Sequence, residues 1–281
     1  MTNLDLNLMQ DVLAVAEAAG RDIMAIYADA SRWAVQTKSD DSPLTAADVA
    51  AHHRIVAGLS ALASAWGQLP VLSEESSPSE LAERHDWSAC WVVDPLDGTK
   101  EFIARNGEFS VNIALVVGDA AVRGIVHGPA TGVSYVAAKG LGSFRVDASG
   151  WQRIHTAALP VSDERPIRLT VSRRHGLEQL RQFEQAISDN FGAVQSVPAG
   201  SAFKICAVAE GLADAYPRFG PTSEWDTAAA QVVLEEAGGH LLDKQGRPFC
   251  YNRRDTLLNA GFLAVGREPQ RWLSYWPAQP K

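Results

Sequence analysis

Residues 91–99 read Trp-Val-Val-Asp-Pro-Leu-Asp-Gly-Thr. An apolar run stops on two carboxylates, Asp94 and Asp97, which flank a proline and precede a glycine and a hydroxyl residue. The run predicts a buried strand ending at Asp94-Pro95, a turn initiator, and Asp97-Gly98 is a common turn pair. Pro95 stiffens the segment between the acids, Gly98 lets the backbone come close to a ligand, and the Thr99 N–H opens a short helix over 99–104. A chain with this segment must hold a strand end rigidly where its acids face outward, which is where loops present chemistry.

The remaining pattern supplies layers for such a strand. Leu8, Val12, Val15, Ala19, Ile23 and Ile26 recur at helical spacing and predict a helix over 8–27. Thr45 reads as the cap of a second helix, with Asp48 completing a capping box and Val49, Ile55, Val56, Leu59 and Leu62 forming its buried face. Strands are predicted at 71–77, 91–94, 109–117, 121–127, 133–138, 167–172, 240–243 and 262–265. Further helices are predicted at 177–189, 201–213 and 227–237, the last closed by Gly238-Gly239. Layered helices and mixed sheets of this kind predict an α+β fold. Gly, Pro and charged residues cluster at 150–165, which places an N-terminal α+β lobe at 1–158 and a C-terminal α/β lobe at 159–281.

Composition removes several function classes. The chain has 281 residues, 46% hydrophobic, enough to build a core. With 25 basic against 33 acidic residues its formal charge is -8, so a nucleic-acid-binding surface is not expected. Cys90, Cys206 and Cys250 are far apart and odd in number, which argues against a disulfide framework and a cysteine zinc site and for a reducing, cytoplasmic compartment. No run of about 18 apolar residues predicts a membrane span, and the start lacks the pattern of a secretory signal. GxxxxGK[ST], GxSxG and HExxH are absent.

Taken singly, the acids have plain explanations. Glu74 and Glu75 suit a solvated loop, Asp226 a helix cap, and Asp48 a favourable first-turn charge. Together they suggest a metal site. Converging carboxylates repel each other unless cations sit between them, and hard oxygen donors suit Mg²⁺ shared with a substrate phosphate. Two such ions about 4 Å apart activate a water and stabilise a leaving oxygen.

Leu-Ser-Glu-Glu-Ser (72–76), WVVDPLDGTKEF (91–102) and EWDTAAAQVVLEEAGG (224–239) resemble, in order and spacing, the signatures of the inositol monophosphatase superfamily of Mg²⁺-dependent, lithium-sensitive phosphatases. With SPLTAADVAAH, VAEGLADAYPRFGPTSEWDTAAA and LLNAGF, the likeness is to its bacterial CysQ-type 3'(2'),5'-bisphosphate nucleotidases and runs to about residue 266. The resemblance implies a layered αβαβα sandwich and two or three Mg²⁺ ions per site. It implies metal ligation by Glu74, Asp94, the Leu96 carbonyl, Asp97 and Asp226, with Asp94 bridging two ions. Gly98 and Thr99 match the loop whose N–H groups hold the scissile phosphate. Asp48 and Thr99 match a pair in which the carboxylate accepts the hydroxyl proton and the hydroxyl orients the attacking water, with Glu74 beside it. On the substrate side Glu74, Leu96, Asp97 and Asp226 border the phosphate, Ser201 and Lys204 match nucleotide contacts, Arg218 lies near a second phosphate, and His175 matches an adenine or ribose contact.

The implied reaction is hydrolysis of adenosine 3',5'-bisphosphate to AMP and phosphate in sulfur metabolism, with 3'-phosphoadenylyl sulfate as a related substrate. An inositol monophosphatase or sugar-phosphate phosphatase is the alternative. As helix residues, caps and polar turns, Lys204, Ser201 and His175 also have plain readings. Ala230 stands where the family usually has Gly, and Glu75 has no assigned role. A nucleotide partner, a monomer or homodimer, and peripheral attachment to the cytoplasmic face of the inner membrane complete what the resemblance implies, although nothing in the sequence resembles an amphipathic anchor.

Overall fold

A computed structural model describes residues 3–29, 31, 33–37, 43–63, 67–159, 165–171 and 177–277. The helices are α1 (Asn3–Tyr27), α2 (Ala46–Ala61), α3 (Thr99–Ile103), α4 (Leu177–Phe191), α5 (Phe203–Ala209), α6 (Glu224–Glu236) and α7 (Pro269–Leu273). Two short hairpin strands, β1 (Gln36–Thr37) and β2 (Pro43–Leu44), lead into α2. Strands β3 (Val71–Ser73), β4 (Ala89–Asp97), β5 (Ser110–Val117), β6 (Ala120–Gly128), β7 (Val133–Ala138), β8 (Gly142–Asp147) and β9 (Gly150–Arg153) form a seven-stranded sheet in chain order. Only its β3–β4 pair is parallel.

A second, five-stranded sheet has the order β11 (Val194–Ser196), β10 (Ile167–Leu169), β12 (Ala215–Arg218), β16 (Phe262–Val265), β14 (His240–Asp243). β10 pairs in parallel with both β11 and β12, and β10 and β11 are joined through α4, the crossover that parallel neighbours require. A small antiparallel pair, β13 (Thr222–Ser223) with β15 (Leu258–Asn259), braces the start of α6.

Three apolar cores separate the layers. Met9, Ala16, Ala19 and Ile23 of α1 and Ala47, Ala51, Ile55 and Leu59 of α2 pack on one face of the large sheet. Its other face meets α5, α6 and the inner face of the second sheet. Ile167, Leu169, Leu263 and Val265 close the outer face of the second sheet against Phe183, Ile187 and Phe191 of α4 and Trp272 of α7. The result is the expected layered αβαβα sandwich. Both faces of the central strands are buried, so they read as continuous apolar runs rather than alternating ones. In β5, Val111, Ile113 and Leu115 face α1 and α2, while Ala114 and Val116 face α6.

Some expectations are corrected. Val49 is 39% exposed, and the buried face of α2 turns on Ala47 and Ala51 instead. The helix expected at 201–213 is α5, only Phe203–Ala209. β8, β9, β11, β12 and α7 have no counterpart among the predicted elements. The strand expected to stop at Asp94-Pro95 continues to Asp97. No helix among the described residues is long and apolar enough to cross a membrane.

Candidate metal centre and substrate cleft

The continuation of β4 decides where its acids point. In the pairing with β5, Asp94 lies opposite Asn112 and Asp97 opposite Ser110, so three steps on β4 match two on β5. One extra residue is accommodated as a bulge at Pro95-Leu96, where a proline without an N–H breaks no ladder bond. Side chains alternate faces along a strand, so acids three apart would normally point opposite ways. The extra residue restores their parity. Leu96 turns into the core beneath α1 and α2, and Asp94 and Asp97 both face α6. The Leu96 N–H donates to Asp94 Oδ1 at 3.0 Å and fixes the bulge.

α6 brings the third acid. Ser223 is its cap residue, and Asp226 returns from the first turn to accept the Ser223 N–H at 2.7 Å. Asp226 is therefore the capping-box acid and not the cap residue. Carboxylate oxygens of Asp94, Asp97 and Asp226 lie within 4.8 Å of one another. Burial, and then the charges of Glu74, Asp97, Asp226 and Asp48, push the Asp94 carboxyl well above its usual range. Burial and then Asp97 push Asp226 upward in the same way. This donor set fits a hard divalent cation, which would remove the repulsion that the buried acids otherwise carry. Glu74 lines the same cavity as Asp94 and Leu96. Its N–H donates to the Val93 carbonyl at 3.1 Å.

Gly98 follows with φ 90° and ψ 40°, a left-handed conformation suited to glycine, and a Cβ there would lie 3.2 Å from the Glu108 carbonyl oxygen. α3 starts at Thr99 and is anchored by Phe102, fully buried among Tyr27, Trp33 and Phe109. Thr99 Oγ1 donates to Asp48 Oδ1 at 3.2 Å and reaches the Leu96 carbonyl oxygen at 3.3 Å. Asp48 Oδ2 accepts both the Thr45 N–H at 2.7 Å and the Thr45 hydroxyl at 2.6 Å.

Two adjoining cavities of about 190 and 370 Å³ share Asp97, Gly98, Lys100, Arg218 and Asp226 in their walls. The inner one adds Ser201, Lys204 and Tyr216. Ser201 Oγ donates to Asp97 Oδ2 at 2.6 Å from a residue held at φ 51°, so it braces an acid rather than capping α5, whose cap residue is Ala202. Lys204 Nζ donates to the Ser201 carbonyl at 3.1 Å and stands 5.6 Å from the centre of the Tyr216 ring. Arg218 spends Nε and Nη2 on the carbonyls of Gly220 and Pro221, at 3.4 and 3.1 Å. His175 lies outside the described residues.

Ser110, Asn112 and Tyr216 are site residues that sequence reasoning missed. Asn112 Nδ2 donates to Asp97 Oδ2 at 3.4 Å, Ser110 Oγ donates to Asn112 Oδ1 at 2.9 Å, and the Ser110 and Ser201 hydroxyls are in contact. Ser110 and Asn112 carried a signal as two polar residues inside the otherwise apolar FSVNIALVV. Glu75 gains a setting, since its N–H donates to Ser73 Oγ at 3.3 Å and its charge acts on His52. Ala230 is buried, 1% exposed. The close approach of α6 to the sheet occurs one residue earlier, where a Cβ at Gly124 of β6 would overlap the Ala229 carbonyl.

The sequence profile of the inositol monophosphatase family matches residues 7–273. The 3'(2'),5'-bisphosphate nucleotidase CysQ of Escherichia coli K12 is 42% identical over 91% of this chain and 98% of its own length. Its namesake in Haemophilus influenzae is 34% identical over 98% of both. The crystal structure of CysQ from Bacteroides thetaiotaomicron superposes with a TM-score of 0.77 at 36% identity, covering 93% of this chain and 98% of that one. An inositol monophosphatase from Thermotoga maritima, 21% identical with a TM-score of 0.72, shares the fold. Taken with the layer order, these matches show that the chain belongs to the inositol monophosphatase family.

Proposed function

We propose that this protein is a Mg²⁺-dependent phosphomonoesterase that removes the 3'-phosphate of adenosine 3',5'-bisphosphate, giving AMP and phosphate, and acts in the same way on 3'-phosphoadenylyl sulfate. The observation that carries the reading is a cleft whose walls hold clustered carboxylates together with the cations Lys204 and Arg218. A substrate with two phosphates uses both kinds of group, and relatives that match nearly the whole chain are named for such a substrate.

Asp94, Asp97, Asp226, Glu74 and the Leu96 carbonyl are the groups that would hold Mg²⁺. When bound there, the ions lower the pKa of a coordinated water and take up charge on the leaving ribose oxygen. The chain's own residues do the rest. Thr99 gives its proton to Asp48, so the hydroxyl oxygen presents a lone pair that accepts a proton from the attacking water and orients it. The N–H groups of Gly98 and Thr99 receive the scissile phosphate. Ser201 and Asn112 hold Asp97 still. Lys204 and Arg218 supply the positive charge for the second phosphate, with the Arg218 guanidinium held in place by the Gly220 and Pro221 carbonyls.

Phosphate release is measured from adenosine 3',5'-bisphosphate and inositol 1-phosphate in parallel, with Mg²⁺ and then with added Li⁺. Strong nucleotide preference with lithium inhibition is expected. Preference for inositol 1-phosphate would remove the assignment of Arg218, and no release from either would remove the catalytic reading.

A further inference from the structure

The first turn of α6 is gripped by a polar network that the reaction above leaves without a task. Glu224, next to the cap residue, is 0% exposed. Its Oε2 accepts the Asn252 N–H at 2.6 Å and its Oε1 the Arg254 guanidinium at 3.1 Å. Arg254 Nη2 also donates to Asn259 Oδ1 at 2.6 Å. Asn259 turns its amide onto α6, donating to the Ser223 carbonyl at 2.9 Å and to Thr227 Oγ1 at 3.0 Å. Ser223 is the residue whose N–H Asp226 accepts.

The network also reaches the other acids. Arg84, 6% exposed, precedes β4, the strand that ends in Asp94 and Asp97. Arg84 Nη1 donates to Asn252 Oδ1 at 3.1 Å, Asn252 Nδ2 donates back to the Arg84 carbonyl at 2.6 Å, and Arg84 Nη2 reaches the Asp255 carbonyl at 2.7 Å. One chain of hydrogen bonds thus runs from the base of β4, through residues 252–259, to the start of α6.

Burying Glu224 has no packing rationale. An ion pair in the interior gains little over an apolar pair of the same volume. What it supplies is direction. The apolar bed of α6 at Gly124 and Ala229 holds the helix against the sheet, but apolar contacts alone fix rotation and axial slide poorly. A metal centre requires its donors held to about 0.5 Å. We propose that Glu224, Arg254 and Asn259 are positioning residues that lock the first turn of α6 and so set the distance from Asp226 to Asp94 and Asp97. The proposal rests on the metal reading of those three acids.

Mg²⁺ binding to the full-length protein is measured by calorimetry, together with melting temperature and the Mg²⁺ dependence of turnover. Arg254 is partly exposed, with 41% of its side chain accessible, so water can reach the gap left by Arg254→Met, and its melting temperature is compared with that of Glu224→Gln, which removes the buried charge itself. Arg254→Met is expected to weaken Mg²⁺ binding about ten-fold and to leave KM for the nucleotide nearly unchanged, with Arg254→Lys recovering part of the loss. Glu224→Gln should act in the same direction. Asp214→Asn is the comparison variant: Asp214 is a buried acid paired with Arg165 and Arg168 that lines neither cavity. It should lower the melting temperature without moving the Mg²⁺ midpoint. If Arg254→Met and Glu224→Gln behave like Asp214→Asn, the network is structural only and the proposal falls. If the parent protein takes up no Mg²⁺, the metal reading falls and takes the proposal with it.

Discussion

α2 and α6 start in the same way and end up with opposite electrostatics. Each opens with a hydroxyl cap residue and an acid three positions on that accepts the cap N–H, Thr45 with Asp48 and Ser223 with Asp226. Asp48 has donors on both oxygens, two from Thr45 and one from Thr99. Asp226 meets Asp94 and Asp97 with its carboxylate, and Arg218 is a protein cation that offsets the repulsion. One device therefore serves two purposes. At α2 it satisfies a carboxylate and fixes it as a proton acceptor for Thr99. At α6 it aims a carboxylate at other carboxylates and leaves a deficit that a cation would fill.

The difference can be broken at each end. Asp226→Asn should cut turnover by about a thousand-fold or more and at the same time raise the melting temperature of the metal-free protein, because it removes a charge from a mutually repelling set. Loss of both activity and metal-free stability would contradict that account. Asp48→Asn should cut turnover by about a hundred-fold and lower the melting temperature, at a cost of about 1–3 kcal/mol, because an amide cannot accept all three donors without leaving one unsatisfied. Opposite signs of the two stability changes are the informative result.

Arg218→Ala should raise KM for adenosine 3',5'-bisphosphate about ten-fold or more, in line with a lost charge-assisted contact of about 1.5–3 kcal/mol. Inositol 1-phosphate, with no second phosphate, should be turned over as before. Equal effects on both substrates would assign Arg218 to the metal site. The smallest effect concerns a buried group away from both helix starts. His127 sits against Gly20 of α1, and its Nδ1 lies 2.8 Å from Ser134 Oγ. Burial, and then the charge of Arg21, push its pKa down to about 4. The unfolded chain then binds more protons than the folded one below the ordinary histidine value of about 6.5. Stability is fully present above that pH and declines as pH falls towards 4, by about 1.4 kcal/mol per unit. His127→Gln should flatten this slope in urea titrations at pH 5 and 6.5. An unchanged slope would place the dependence on other groups.

Much of the molecule is legible in the sequence because its constraints are local. The periodicity of α1, the capping box of α2, strand β7 and the Gly238 stop after α6 each depend on a few neighbouring residues. The acids that converge at the site are likewise readable from DPLDGT and EWDTAAA. What stays hidden depends on partners far along the chain. Ser110 and Asn112 look like weak points in a strand until Asp97 and Asp94 are placed opposite them. Glu224 and Arg254 look like surface charges until a loop distant from β4 folds back over Arg84. The short edge strands β9 and β11 lack the apolar runs that mark a buried strand, because their exposed positions leave them no strong pattern.

The bulge in β4 makes the active end of the molecule sensitive to strand register in a way that no side chain replacement can mimic. A substitution at Leu96 alters one contact in the core. Straightening the bulge with every residue still in place would turn each side chain beyond it to the other face of the pleat. Asp97 would then point into the layer of Ile113, Val93 and Phe109, where a carboxylate has no partner, while the face beneath α6 would lose a donor. The path of the backbone between the two acids thus determines whether they act as a pair or lie on opposite sides of a wall.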